Sequence, residues 1–425
     1  MWRGQAWSGR KVFDPCMPFR RTKSLSVGAQ ESEVGPYRLA IVISHPVHYQ
    51  VPLFRKLAAN PEFDLTVYFC SRDGVEHTFD EDFAGHYKWD LPLLEGYRHF
   101  FLKNWSLKPR LGRFFGLCNF GILRELSPEK HDAVLIHGYN YATTLLALCT
   151  ARLRGMHTLF RGETVLRPQT RWIIRLPKTI VLKIVFWASG AFLTIGSMST
   201  EFYKRYGISS DRLFYTPYCV DNERLIKQCD EYRPVADDLK ASLGLDPRLP
   251  VILYVGKLTE KKRPYDLMTA FRQVSDRASL VFVGDGPLRS TLESAVRSSK
   301  NVRILGFTSQ REIPKYYAMA DVFALPSSEM EVSPLVVNEA MCAGLPVIIS
   351  DAVPSAKDFV RNGVNGFRYP MGNIQRLEQF LGLLVDDSKL RADFGRVSRE
   401  MVSAWNYQAC VDGIHAALEF LRTRS

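Results

Sequence analysis

Short apolar runs alternate with helical stretches twice along this chain, and that alternation leaves few folds open. From Tyr37 onward LAIVIS reads as a strand, QVPLFRKLAAN as a helix and DLTVYF as a strand. AVLIH, a helix through LLALCTARLRG, HTLFR, a long basic helix and AFLTIG continue the series. Apolar runs this short, without polar alternation, are strands covered on both faces, and strands that alternate with helices build parallel sheets. The rhythm pauses at residues 221–249, a polar, charged segment that reads as a linker. It then restarts with VILYV, LVFVG, VRILG, DVFAL and LPVIIS, again with helices between them. The expected fold is α/β, with two doubly wound, Rossmann-like parallel-sheet domains at residues 37–222 and 223–405 and the ligand site in the cleft between them. A last helix, within residues 406–425, follows Trp405 and is expected to cross back onto the first domain.

The 425 residues suffice for two domains of ordinary size. Residues 1–36 are basic and Ser-rich without an apolar core, so they read as a disordered leader and not as a secretory signal. The net charge of +12 is lopsided. Residues 1–222 hold 29 Lys and Arg against 19 Asp and Glu, and residues 223–425 hold 27 against 25. A basic first half points to an anionic membrane surface or substrate. No nucleic-acid motif accompanies it, so no nucleic-acid partner is expected. The eight cysteines are scattered, with no C-x-x-C pair, which fits free thiols in a reducing, cytoplasmic setting. Residues 180–195 are interrupted by Lys183 and Gly190 and fall short of a membrane span.

The stretch EVSPLVVNEAMCAGLPVIISD carries most of the functional information. Glu331 and Glu339 stand eight apart, with Ser333-Pro334 between them as an N-cap and first helical residue. A helix over residues 334–343, ended by Gly344, places Glu331 on the preceding loop and Glu339 inside the helix. A helix start favours phosphate, and carboxylates accept hydrogen bonds from hydroxyls. Because DVFAL precedes the pair, it falls at the carboxyl end of a buried parallel strand, where open α/β sheets bind ligands. The bland alternative is a solvated acidic helix face. Upstream, VILYVGKLTEKKRPYDL brings Lys257 and Lys262 off another strand end, where two cations would neutralise a diphosphate as a glycosyl bond breaks. Lys261 and Arg263 read as bystanders.

GKLTEKKRPYDL, FVGDGP, ILGF, YYAMADVFALPSS and EVSPLVVNEAMCAGLPVI occur in an order that resembles retaining glycosyltransferases of family 4, which have the GT-B fold. In the first half, SHPVHYQVPLFRKLA, WDLPLLEGY and FLTIGSMSTEFYKRYGI resemble a bacterial, polysaccharide-building subgroup more loosely. The resemblance implies that Glu331 contacts donor-sugar hydroxyls and Glu339 the ribose. It implies that Lys257, where arginine is usual, and Lys262 contact the diphosphate. Ser333, Leu335 and Val336 would belong to the donor site, with backbone donors at Leu335 and Val336. Pro334 replaces a frequent glycine. Gly306 and Phe307 would lie beside the base. Where many members have a Gly-Gly loop this chain has SHPVHYQ, and where many have a histidine it has Arg161, Gly162 and Glu163. His45, His137, Arg161 and Glu163 are therefore the candidates on the first-domain side of the cleft, and a structural role for each histidine stays open.

The resemblance implies a retaining transferase that moves a sugar from a nucleotide-sugar donor to a glycan or lipid-linked acceptor, without metal or other cofactor. A nucleotide-sugar 2-epimerase of the same fold and a non-catalytic nucleotide-sugar-binding scaffold are the alternatives. The D-x-D at residues 80–82 lies in a polar stretch and reads as a solvated loop. Gly284 and Gly286 lack the third glycine of a dinucleotide fingerprint. Arg171, Arg175 and Lys178 share one side of a helix and suit either docking on an anionic membrane or a buried crossover.

Overall fold

The computed structural model describes residues 35–75, 78–80, 85–87, 91–163, 172–297 and 299–424, without the side chains of 78–80, 85–87 and 172–178. Residues 36–425 form one compact unit. Its strands are β1 (Tyr37–Ile43), β2 (Phe63–Phe69), β3 (Thr78–Asp80), β4 (Gly85–Tyr87), β5 (Arg98–Phe101), β6 (Ala133–His137), β7 (His157–Arg161), β8 (Ala191–Thr194) and β9 (Leu213–Tyr215). They continue with β10 (Val251–Val255), β11 (Ser279–Val283), β12 (Val302–Leu305), β13 (Val322–Leu325), β14 (Val347–Ser350) and β15 (Gly366–Tyr369). Seven form a parallel sheet in the order β5-β2-β1-β6-β7-β8-β9. Six form a second, in the order β12-β11-β10-β13-β14-β15, and β3 and β4 make a small antiparallel ribbon.

Both large sheets are buried on two faces, which is why their central strands are continuous apolar runs. Along β1, Leu39, Ile41 and Ile43 pack into one core with the helix Val51–Ala59, whereas Ala40 and Val42 pack into another with the helix Ala142–Leu153. The C-terminal helix Tyr407–Arg422, capped by the Asn406 side chain on the Ala409 N–H, buries Ile414, Leu418 and Leu421 in the first of these cores. Tyr407 also donates its hydroxyl proton to the Tyr49 carbonyl at 2.8 Å. The chain thus returns to the first sheet after building the second.

Two expectations need correction. The polar segment after residue 221, read as a linker in which the strand–helix rhythm pauses, is largely helical. It folds into the helices Asn222–Tyr232 and Ala236–Ser242. Asp221 caps the first through the Arg224 N–H, and its Leu225 and Cys229, one turn apart, sink into the core of the second sheet. Asn222 donates to the carbonyls of Val402 and Trp405, at 3.0 and 2.8 Å, and so ties the two crossovers together. The glutamate helix is Leu335–Cys342, with Pro334 and not Ser333 at its N-cap. Pro334 has a helical φ of −73° but an extended ψ of 108°, so the first turn closes only at the Val337 N–H, which donates to the Pro334 carbonyl.

Arg171 and residues 81–82 lie outside the described residues, and so do the side chains of Arg175 and Lys178. Among the described residues no helix is long and apolar enough to cross a membrane.

Candidate functional site

In the second sheet, strand order reverses between β10 and β13, and such reversal points open a crevice at the carboxyl ends of the strands. The loops after β10 and β13 meet there. In the first sheet the reversal falls between β1 and β6, and the loops after those strands form the opposite wall. Between the walls lies a cavity of about 670 Å³. Its second-sheet side is made by Gly256, Lys257, Lys261, Lys262, Gly284, Phe307 and the run from Met330 to Val336, with Glu339 behind it. His48, Tyr49, Asn140, Glu163 and Tyr218 close it from the first-sheet side.

Its floor depends on two glycines. Gly284 has φ +142°, and a Cβ there would meet the Gly256 carbonyl oxygen at 2.0 Å. Only the missing Cβ of Gly284 lets these two strand ends come together at the floor of the cavity.

Lys262 ends a short 3-10 turn, Glu260–Lys262, and is followed by Arg263 in the left-handed region at φ 51°. Arg263 is held there with its Nε donating to Asp266 Oδ2 at 2.7 Å. That bend turns Lys262 into the cavity, where its ammonium forms an ion pair with Glu331 Oε1. The two side chains are only 13% and 12% exposed, and Glu331 Oε2 is buried with no hydrogen-bond partner. A cation and a carboxylate assigned separately in the sequence thus form one unit, with a buried carboxylate oxygen left to accept from a hydroxyl.

Glu339 sits at the inner end of the cavity, 6% exposed. Tyr317 donates its hydroxyl proton to Glu339 Oε2 at 2.7 Å. Desolvation nevertheless raises the Glu339 pKa to about 7, against the opposing pull of the Tyr317 hydrogen bond and the Arg224 charge. Between Glu331 and Glu339, the N-terminus of the helix Leu335–Cys342 opens onto the cavity through Ser333, Leu335 and Val336. The first N–H groups of a helix have no partner within it.

The structure brings Lys257, Lys262, Glu331, Ser333, Leu335, Val336, Glu339, Phe307 and Glu163 to the same cavity. It does not bring the rest of the sequence-derived set to its wall. Gly306 is not among the lining residues, and a Cβ there would meet Arg289 Nη1 at 2.7 Å. Arg161 is buried beneath the first-sheet wall. Its Nη2 donates to the carbonyls of Thr216 and Pro217, both at 3.0 Å, and its guanidinium covers the Tyr218 ring. It holds the crossover in place and does not reach the cavity. His45 shares a 2.9 Å hydrogen bond with Ser44, and burial lowers its pKa. His137 is half-buried with its Nε2 atom enclosed and unpartnered, and desolvation, helped by Arg161, lowers its pKa to about 3, so it stays neutral.

Several lining residues were not singled out from sequence. Lys261, read as a bystander, lines the cavity too. His48 and Tyr49 lie in the SHPVHYQ loop, and the strand-end rule was a usable signal for them. Tyr218, whose hydroxyl donates to Glu163 Oε1 at 2.7 Å, sits in the crossover after β9 and carries no local signal.

Residues 235–401 match the protein family described as "Glycosyl transferases group 1". The sulfoquinovosyl transferase of Arabidopsis thaliana is 30% identical over 186 residues, 42% of this chain but only 36% of that protein's length. The UDP-Gal:alpha-D-GlcNAc-diphosphoundecaprenol alpha-1,3-galactosyltransferase of Escherichia coli is 26% identical over 308 residues, 69% of this chain and 76% of its own. Among solved structures, Anabaena HepE in complex with UDP superposes with a TM-score of 0.69 at 16% identity, over 90% of this chain and 99% of its own. A glycosyltransferase from Rickettsia africae gives the same TM-score at 13% identity, over 91% and 99%.

Proposed function

We propose that this protein, whose residues 235–401 match the group 1 glycosyl transferases and whose fold superposes on glycosyltransferases of GT-B type, transfers a sugar, with retention of configuration, from a nucleoside-diphosphate donor to a hydroxyl of a glycan or lipid-linked acceptor. One observation carries the reading. Glu339, the Lys262–Glu331 pair and a helix N-terminus surround one cavity, at the reversal point of the second sheet.

In this reading Glu339 accepts from the ribose hydroxyls, and Phe307 borders the base. The diphosphate lies against Lys257, Lys262 and the N–H groups of Leu335 and Val336. Glu331 Oε2 accepts from a hydroxyl of the donor sugar. The bond from the anomeric carbon to the diphosphate oxygen breaks as the acceptor oxygen bonds the same face of that carbon. The acceptor proton passes to the leaving diphosphate. Lys257 and Lys262 face the charge that grows on the leaving group, so their stabilisation is largest in the transition state. These cations and the helix start supply the positive potential, and no metal is part of the proposal.

Glu163, Tyr218, Tyr49 and His48 lie on the opposite wall, where the acceptor would approach. The Escherichia coli relative's name, with its UDP-sugar donor and polyprenyl diphosphate acceptor, favours a uridine donor and a lipid-linked acceptor. The test is incubation of the purified chain with UDP-, GDP- and ADP-sugars in EDTA, with and without lipid-linked saccharide. Release of nucleoside diphosphate coupled to a longer acceptor supports transfer. Epimerised donor without acceptor supports the epimerase, and binding without turnover supports the scaffold.

A further inference from the structure

The segment that leaves β5 is basic and apolar at once. Residues 102–124 contain Lys103, Lys108, Arg110, Arg113 and Arg124 and no acidic residue. Between these cations stand Trp105, Leu107, Phe114, Phe115, Phe120 and Leu123, all exposed. Leu107 is 100% exposed, Phe115 71% and Trp105 57%. Soluble surfaces seldom gather this much apolar area in one place without a partner.

The loop is firmly tied. Asn104 Nδ2 donates to the Gly116 carbonyl at 2.9 Å, and Asn104 Oδ1 accepts from the N–H groups of Ser106 and Cys118. Ser106 Oγ donates to the Phe115 carbonyl at 2.6 Å, and the Trp105 N–H donates to the Cys118 carbonyl at 3.0 Å. These bonds lay residues 104–106 against 115–118, with Leu117 packed inward and the Trp105 and Phe115 side chains left outward. The Lys103 ammonium lies 4.1 Å from the Trp105 ring centre, and Phe114 and Phe115 meet edge to face. At the far end, the Gly112 N–H donates to the Tyr141 hydroxyl at 3.0 Å. Tyr141 follows Asn140, which lines the cleft.

We propose that this loop is a docking face for an anionic lipid bilayer. The leucine and aromatic tips would enter the interfacial layer while the lysines and arginines meet the headgroups. Charge selects this occupant. Five cations without one acid match an anionic surface, whereas a second copy meeting the same loop across a two-fold axis would set cations against cations. Shape argues the same way, because the tips protrude and none of them lines either cavity described for this chain. Docking here would hold the bilayer beside the first-sheet wall of the cleft. That benefit rests on the lipid-linked acceptor proposed above, while the docking itself does not. It also involves a different stretch from the helix bearing Arg175 and Lys178.

The experiment is flotation of the full chain with vesicles of phosphatidylcholine alone or mixed with phosphatidylglycerol, at low and high salt. The wild type is expected to float with the anionic vesicles only and to be released by salt. Leu107→Ser with Phe115→Ser should weaken binding by about tenfold or more. Lys108→Gln, Arg110→Gln and Arg113→Gln together should weaken it by about fivefold per charge. Both variants should keep the wild-type melting temperature and nucleotide affinity, since the altered side chains are exposed and outside the cleft. The proposal is overturned if the wild type does not float, if both variants float as well as it does, or if sedimentation shows a dimer that the Leu107/Phe115 variant abolishes. Failure of the donor-site reading would look different: a chain that floats but binds no nucleotide.

Discussion

Glu339→Gln should make the protein more stable and a poorer nucleotide binder, and the two effects should depend on pH. Burial raises the Glu339 pKa from the ordinary 4.5 to about 7. A native carboxyl with a raised pKa holds a proton that the unfolded chain has already released, so wild-type stability falls as pH rises from about 4.5 to about 7 and levels off above. A displacement of that size corresponds to about 3 kcal/mol. Glutamine keeps an acceptor for the Tyr317 hydroxyl and never ionises. The variant should therefore match the wild type near pH 5 and exceed it by up to about 3 kcal/mol at pH 8, a melting-point gain of about 4 °C for a cooperative unit of this size. Nucleoside diphosphate affinity at pH 8 should move the other way, by about 10- to 100-fold, because hydrogen bonds to a charged acceptor are worth about 1.5–3 kcal/mol. Thermal melts from pH 5 to pH 8.5, with titration calorimetry at the ends, decide it. Parallel melting curves for the two proteins would refute a buried, destabilised carboxylate, and equal affinities would remove Glu339 from the ribose.

Lys262→Ala should lower turnover at saturating donor and, by leaving Glu331 without its counter-charge, cost about 3 kcal/mol of stability. Adding Glu331→Gln should restore the stability measured by urea unfolding but not the turnover; a single variant as stable as the wild type would deny the pair its structural weight. Activity should survive EDTA, and its loss with rescue by manganese or magnesium would sink the metal-independent mechanism. Arg161→Met should cost about 2 kcal/mol through the Thr216 and Pro217 carbonyls it leaves unpaired, with nucleotide affinity unchanged. A weakened affinity at an unchanged melting temperature would return Arg161 to the cleft.

Much of the fold was legible in the sequence, and three of the strands that were not share a position in their sheets. VILYV and AVLIH announce themselves because they are covered on both faces. RHFF of β5, LFY of β9 and GFRY of β15 are all edge strands. In β5 exposed and half-buried residues alternate, and no continuous apolar run results. The helix Asn222–Tyr232 was hidden by its polar face, although Leu225 and Cys229 carry its buried stripe.

By itself the sequence determined that this chain builds two parallel sheets and that a carboxylate, a helix start and a second carboxylate follow one another at a strand end. Those are local facts, set by hydrophobic period and by proline and glycine chemistry, and short segments carry them. Only the tertiary structure decided that Lys262 and Glu331 are one ion pair, that burial pushes Glu339 towards neutrality, and that Arg161 braces a crossover while Glu163 and Tyr218 line the cleft. Contact and desolvation depend on distances between segments far apart in the chain, such as the 69 residues from Lys262 to Glu331. Such distances exist only once both sheets have closed around the cleft.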